Sequence, residues 1–488
     1  MPATIRLTFA RKSWLGCPEV ASECPEVASP YPEVISYCPE TAFPAGLPTF
    51  EAMSEMTGIQ VYKFGGASVK DAAAILNLCR IVRDYGPQGP LVIVVSAMGK
   101  TTNALEKIYD LAYRGGDYSA QFTVLATAHR NTVEELMRIQ SSKESDIEVE
   151  LVEVEEALAG LSNSLASIDA SWTYDQGYDQ IVSYGERLSV AIVSGALANE
   201  FSWDKVRERA AGGLIKTNEN WREGQVDWTA TTESVQVMAE HLFGLGIEII
   251  VTEGFIGGTD TNFYTTLGRE GSDYTAAILA YCLRAESVTI WKDVAGLLNA
   301  DPKIFPDTVR YPEISYRETI EMAYYGASVI HPKTLKPLAD RNIPLRVKSF
   351  LDPAAEGTLI HDCQHAALAP AFIRKTDQCL LSFASKDFSF ISEENMAVIF
   401  AALAQAKLKI NVMQNSAISF SVCVDFSERR VHLLLDLLRE QFLLHYNTGL
   451  LLFTIKNYTS ASIAQLTAGK QLLLEQRTRG TFQFVCAA

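Results

Sequence analysis

The sequence predicts an α/β fold, with a parallel-rich sheet between helix layers followed by two small ferredoxin-like α+β units. Three observations carry this expectation. Short, continuously apolar runs alternate with helical periodicity through the first part of the chain, as in strands buried on both faces. From Ala371 onward, short strands and helices follow closely in a β-α-β-β-like order, repeated about twice. The 488 residues are 48% hydrophobic and 20% charged, ordinary usage for about three folded domains.

Residues 1–55 stand apart. Pro18, Pro25, Pro32 and Pro39 recur every seventh residue, each followed by Glu. Heptad spacing suggests a coiled coil, but each proline removes a helix hydrogen bond and clashes with the preceding turn. The segment is therefore expected to be a disordered repeat. The blander reading is a start codon assigned too early, with synthesis beginning at Met53 or Met56. Arg6, Arg11 and Lys12 are followed by no apolar core long enough for a signal peptide.

The first folded domain is expected over 58–365. Ile59 to Lys63 reads as a strand, Phe64-Gly65-Gly66 as a turn, and Ser68 as the cap of a helix reaching Tyr85. Gly86, Pro87, Gly89 and Pro90 break the chain before Leu91–Val95, a second buried strand. Helical periodicity fills much of 103–170, and Ile181 to Asn199 is a loop-to-helix passage. Glu248 to Glu253 and Ser287 to Trp291 are further strands. The tail, 371–488, is expected to hold strands at Phe388–Phe390, Val422–Asp425, 449–456, 471–476 and 481–486. Its helices are expected at 393–406, 428–441 and Ser460–Ala468.

Composition excludes several function classes. The charge sum is −16 at pH 7, which disfavours nucleic acid and anionic membrane as partners. No apolar run of about 18 residues suggests a membrane span. Nine cysteines without a CxxC read as free thiols in a reducing cytoplasm. His361, Cys363 and His365 cluster, but a metal site there would need further ligands, and a plain linker is the simpler reading.

Phosphate chemistry is suggested at several places. Lys63 closes a strand, and Gly65 and Gly66 let backbone N–H groups approach an anion at a helix start. The lysine would supply charge to a transferring phosphoryl group. Gly99-Lys100-Thr101-Thr102 resembles the end of a P-loop, but Val94 occupies the place of its first glycine. Thr252–Gly258 and Thr265–Thr275 form a second strand, glycine-rich loop and helix. In Trp291–Lys303, Asp293 could face a metal or ribose, and Lys292 and Lys303 a phosphate.

Six stretches occur in register: KFGGASV at 63–69, SYGERLS at 183–189, TEGFIGG at 252–258, TTLGREGSDYTAA at 265–277, WKDVAGLLNADP at 291–302 and GASVIHPKTLKPL at 326–338. Together they resemble the aspartate kinases of the amino-acid-kinase family, and the tail resembles a pair of ACT regulatory domains. The resemblance implies transfer of the ATP γ-phosphate to the β-carboxylate of L-aspartate, the first step toward lysine, threonine and methionine. It places Lys63, Phe64, Gly65 and Gly66 at the phosphates, and Ser96 and Thr102 at aspartate. Glu186 would hold the substrate ammonium. Lys216 would meet a substrate carboxylate with Glu219 nearby, where some relatives carry Arg and Asp. Lys292, Asp293, Leu298, Lys303 and Ser328 match the nucleotide-binding stretches. Leu298 replaces a Tyr, and Ser328 a Lys, of some relatives. No dedicated metal cage is implied, and Mg²⁺ would arrive with ATP.

The ACT resemblance further implies feedback by an end-product amino acid, lysine or threonine, at Asn415 and Ser416. It also implies a homodimer or higher homo-oligomer. Ala417 stands where some lysine-sensitive relatives carry an acid, so the effector is open. The alternative reading is a catalytically weak, amino-acid-binding regulatory subunit of the same fold.

Overall fold

The computed structural model describes residues 58–140, 144–168, 172–327, 330–365, 368–387 and 389–487. The heptapeptide repeat, the alternative starts and Ser328 lie outside the described residues.

Strand β1 (Gln60–Phe64) leads through a tight turn into α1 (Ala72–Tyr85). Ser68 does not cap this helix. It is buried within a 3₁₀ turn at Gly66–Val69, and Asp71 caps α1 by accepting the Ala74 N–H at 2.9 Å. β2 (Leu91–Val95) is wholly buried, as its five apolar residues require. Five helices follow: α2 (Thr101–Tyr113), α3 (Ser119–Gln140), α4 (Glu144–Ala166), α5 (Tyr174–Val182) and α6 (Tyr184–Phe201). The helical stretch Tyr174–Phe201 is long and apolar enough to cross a membrane, but 94% of its apolar window is buried inside the protein. It is a core helix pair. The chain continues through β3 (Val206–Arg209), α7 (Ala211–Leu214), α8 (Trp228–Gly244), β4 (Ile249–Glu253) and the hairpin β5 (Ile256–Gly258)–β6 (Tyr264–Thr266). Then come α9 (Gly271–Leu283), β7 (Ser287–Lys292), β8 (Glu313–Ser315), α10 (Tyr316–Tyr325), α11 (Pro332–Asp340), β9 (Leu345–Ser349) and β10 (Thr358–His361).

The eight-stranded sheet has the order β3-β4-β2-β1-β7-β9-β10-β8, parallel except for β9 against β10. Alternation along β1 sends Tyr62 and Phe64 to a core beneath α1–α6. Val61 joins the opposite core, beneath α8, α9 and α11. The turns singled out in the sequence therefore gather where β1, β2, β4 and β7 end, at the carboxyl edge of a parallel sheet.

The tail forms one six-stranded antiparallel sheet, β12-β13-β11-β14-β16-β15. Its elements are β11 (Ala371–Ser385), α12 (Glu393–Gln405), β12 (Ile410–Asn415), β13 (Ser419–Asp425), α13 (Glu428–Leu438), β14 (Phe442–Lys456), α14 (Ser460–Thr467), β15 (Leu472–Arg477) and β16 (Thr481–Ala487). The first unit is a complete β-α-β-β-α-β. The second is discontinuous: β14, α14, β15 and β16 take their fourth strand from the first residues of β11, where Ala371–Lys375 pair with Leu452–Lys456. A register break between Lys375 and Gln378, with Asp377 at φ +53°, marks the junction. Residues 389–390 are not a strand, and Phe388 lies outside the described residues.

The tail is tied to the first domain. The Phe372 N–H donates to Asn299 O at 2.7 Å, Lys456 pairs with Glu321, and the Asn457 amide donates to Glu318 at 3.2 Å.

Candidate active site

A cavity of about 600 Å³ opens at the carboxyl ends of β1, β2 and β4 and at the start of α9. Lys63 is the last residue but one of β1 and is only 7% exposed. Its Nζ lies 2.6 Å from Asp273 Oδ1, and Lys292 Nζ approaches the other oxygen at 3.2 Å. Asp273 stands in the first turn of α9, fully buried. Burial alone would raise its pKa, but the ammonium groups of Lys63 and Lys292 outweigh this and hold it below the ordinary carboxylate value. One carboxylate thus orders two cations from two strands.

Gly66 is required by space. A Cβ there would lie 2.7 Å from Ala97 O and 3.1 Å from Gly99 O, so the turn after β1 packs directly on the turn after β2. Ser96, Gly99 and Thr102 line the same cavity. Gly65 and Phe64 are not among its lining residues. Phe64 points into the core, stacked on Trp291 with centroids 6.1 Å apart.

Glu186 projects from α6 and is 3% exposed. One oxygen accepts the Ala97 N–H at 3.2 Å, and the other, Oε2, is buried without a hydrogen-bond partner. Burial pushes its pKa up to about 8, reinforced by Glu253 and opposed by Lys63. A cationic group entering here would find a carboxylate with a vacant acceptor.

Lys216 is not brought to the cavity. It bridges Gly258 through its backbone, and its N–H donates to Thr231 Oγ1 at 3.0 Å. Glu219 accepts the Thr261 hydroxyl at 2.8 Å. Arg222 and Arg269 line the cavity instead. Arg222 adopts φ +67°, its N–H donates to Asp179 Oδ2 at 2.8 Å, and its guanidinium lies 4.0 Å over the Tyr178 ring. Glu270, the N-cap of α9, also lines the cavity, at φ +54° and with Oε2 buried and unpartnered. The sequence assigns no role to Arg222, Glu270 and Asp273, whereas Arg269 stands among the glycines of the phosphate-type loop at 265–275. Only Asp273 and its neighbours carried a signal there, inside the glycine-rich stretch.

A second cavity, about 510 Å³, shares Lys292 and adds Asp293, Leu298 and Lys303. Phe305 and Phe372 line it with centroids 5.6 Å apart, and Arg374 joins them from β11. One wall of this cavity therefore belongs to the tail. Asn415 ends the edge strand β12. Ser416 turns the chain into β13, its N–H donating to Ser419 O at 2.8 Å, and both residues are exposed.

The model of the amino acid kinase family matches residues 58–349. The lysine-sensitive aspartokinase 3 of Escherichia coli (strain K12) is 32% identical over 374 residues, covering 76% of this chain and 79% of its own length. The chain belongs to the amino acid kinase family, among the aspartokinases. Aspartokinase 2, chloroplastic, of Arabidopsis thaliana is 30% identical over 75% of this chain. The match spans 66% of that relative and 41% of a bifunctional aspartokinase/homoserine dehydrogenase of Zea mays. Among solved structures, E. coli aspartokinase III in complex with aspartate and ADP (R-state) superposes with TM-score 0.72 and 26% identity, covering 88% of this chain and 96% of that one. The same enzyme with lysine and aspartate (T-state) gives 0.71 and 26%, covering 88% and 95%. The aspartokinase likeness thus reaches beyond the family domain into the tail.

Proposed function

We propose that the chain is an aspartate kinase, forming 4-phospho-L-aspartate from ATP and L-aspartate. The observation that carries this is the Lys63–Asp273–Lys292 arrangement beside the buried, half-unpartnered carboxylate of Glu186. The β-carboxylate of aspartate is ionised at neutral pH and needs no general base. Its oxygen attacks Pγ, the bond from Pγ to the bridging oxygen breaks, and ADP leaves. The task is to bring two anions together and stabilise the charge between them. Lys63 and Lys292 supply that charge, Asp273 fixes both, and the turn at Gly66 admits backbone N–H groups. Glu186 receives the substrate ammonium, and Arg222 and Arg269 supply cations for the α-carboxylate. Lys292, Asp293, Leu298 and Lys303 take the nucleotide.

Glu270 Oε2 is a buried carboxylate oxygen without a partner, so the cavity fits a divalent cation carried in on phosphate. Bound Mg²⁺ would neutralise charge on the β- and γ-phosphates. Feedback by lysine or threonine, at Asn415 and Ser416 on the tail's edge, is part of the same reading. So is pairing of two copies through that edge. The six described cysteines outside the repeat are all free, which supports a reducing compartment.

The test traps the acyl phosphate with hydroxylamine. Wild type should give aspartyl hydroxamate and Lys63→Ala none. No product from wild type, with ATP still bound, would overturn the catalytic reading and favour the regulatory-subunit alternative.

A further inference from the structure

A third cavity, about 690 Å³, lies on the other face of the sheet, floored by β1, β7 and β9 and walled by Tyr85 and the 354–357 loop. No step of the proposed reaction uses it. Its character is unusual for a surface depression. Tyr62, Tyr85 and Trp291 line it, and Lys348 Nζ lies 5.3 Å from the Trp291 ring and 5.8 Å from that of Tyr85. Tyr62 packs edge-on to Trp291 with centroids 5.8 Å apart. Arg346 stands one pleat along the same strand face. Among the described residues, neither Arg346 nor Lys348 makes an ion pair or a side-chain hydrogen bond. Trp291 is 1% exposed, and its Nε1–H is buried without a partner. An indole N–H can only donate, so an acceptor is missing there. The rim carries Glu286, Glu313 and Glu356, of which Glu313 is engaged by His361 at 3.2 Å.

We infer that this cavity binds a zwitterionic aromatic amino acid. The cations on β9 meet the carboxylate, the rim glutamates meet the ammonium, and the ring packs on the exposed Tyr85, over the buried Tyr62 and Trp291. Both charges are needed, because the cavity presents both signs. The volume lies within the range of small-molecule sites. The placement also gives such a ligand a route to the active site. Side chains alternate along a strand, so Tyr62 and Trp291 face this cavity while the residues directly after them, Lys63 and Lys292, face Asp273. A ligand pressing on the two aromatic rings acts on the two strands that hold the catalytic cations.

This inference stands apart from the proposed reaction, and a binding measurement tests it without turnover. L-Phenylalanine is titrated into the full chain while tryptophan fluorescence is followed, excited where phenylalanine does not absorb. A saturable change below about 10 mM is expected. It should weaken about tenfold or more with phenylacetate, which lacks the ammonium, and with phenethylamine, which lacks the carboxylate. The surface variant Arg346→Gln/Lys348→Gln should lose the change while keeping wild-type melting temperature and unliganded activity. Trp291→Phe assigns the signal. No saturable change, an undiminished change in the double variant, or equal binding of phenylacetate would each overturn the inference.

Discussion

Glu270 offers a sharp test, because its backbone and its side chain are both unfavourable where they stand. It holds φ +54° and ψ 32° at the N-cap of α9, a left-handed conformation, and makes no side-chain cap hydrogen bond. A non-glycine residue there costs about 1–2 kcal/mol. The buried, unpartnered Oε2 adds a penalty of about 1 kcal/mol, the low end for an unmade hydrogen bond, since the residue is partly exposed. Glycine removes both terms and returns about 0.5–1 kcal/mol through its greater freedom when unfolded. Glu270→Gly should therefore be more stable by about 1–2 kcal/mol. For a chain of this size that raises the melting temperature by roughly 1–2 °C. Glu270→Ala separates the two causes. It removes the carboxylate but keeps the left-handed Cβ, so it should gain only the carboxylate term, about 1 kcal/mol. Thermal unfolding followed by circular dichroism, without nucleotide, reads both. A melting temperature for Glu270→Gly at or below wild type would refute the reasoning, and equal gains for Gly and Ala would remove backbone strain from it. With function added, the stabilised variant should need more Mg²⁺ for half-maximal hydroxamate formation, because strain retained at a site is retained for use.

Three further outcomes follow from the same geometry. Asp273→Asn leaves the buried Lys63 without its carboxylate partner and removes the contact that orders Lys292, so it should lose about 3–5 kcal/mol of stability in urea unfolding, and kcat should fall by about a hundredfold or more; an unchanged kcat would show that Asp273 orders nothing. Glu186 has its folded pKa raised to about 8, so the folded state holds a proton there that the unfolded chain releases near its ordinary value. Its stabilising contribution is full below about pH 4.5 and is lost as pH rises to about 8. Glu186→Gln should remove that slope from the melting curves, and in wild type the affinity for aspartate should rise around pH 8, where the folded carboxylate ionises. Arg374→Ala should raise the KM for ATP about three- to tenfold with little change in kcat, because Arg374 reaches the nucleotide cavity from the tail and away from the reacting atoms; an unchanged KM would separate the tail from nucleotide binding.

The parts of this site that the sequence exposes are those lying on strand ends within short motifs. Lys63, Ser96, Thr102 and Glu186 fall in the cavity because each follows an apolar strand or opens a helix whose pattern is readable locally. The parts it conceals are set by pairings between distant segments. Lys63 and Asp273 stand 210 positions apart, and nothing near either residue announces the ion pair. Lys216 and Arg222 show the same limit at short range. The stretch offers two basic residues six apart, and a local hairpin decides which enters. Asn218 pairs with Gln225, and Asn220 with Glu223, which lifts Arg222 over Tyr178 while Lys216 is spent on backbone bridging.

β11 is hidden for a related reason. Its apolar alternation is interrupted by Lys375, Thr376, Asp377 and Gln378, which read as a turn. The structure uses those residues as the bulge where one strand passes from the second unit to the first. A break in hydrophobic pattern ends a strand when the chain must leave the sheet. Here the chain stays, because both halves of β11 find the same partner: β14 is equally long and runs past the bulge on both sides. The two units therefore share their central strands, and a displacement at the β12 edge has a continuous hydrogen-bonded path through β13 and β11 to Phe372 and Arg374 at the nucleotide cavity. Two separately closed domains joined by a linker would have no such path.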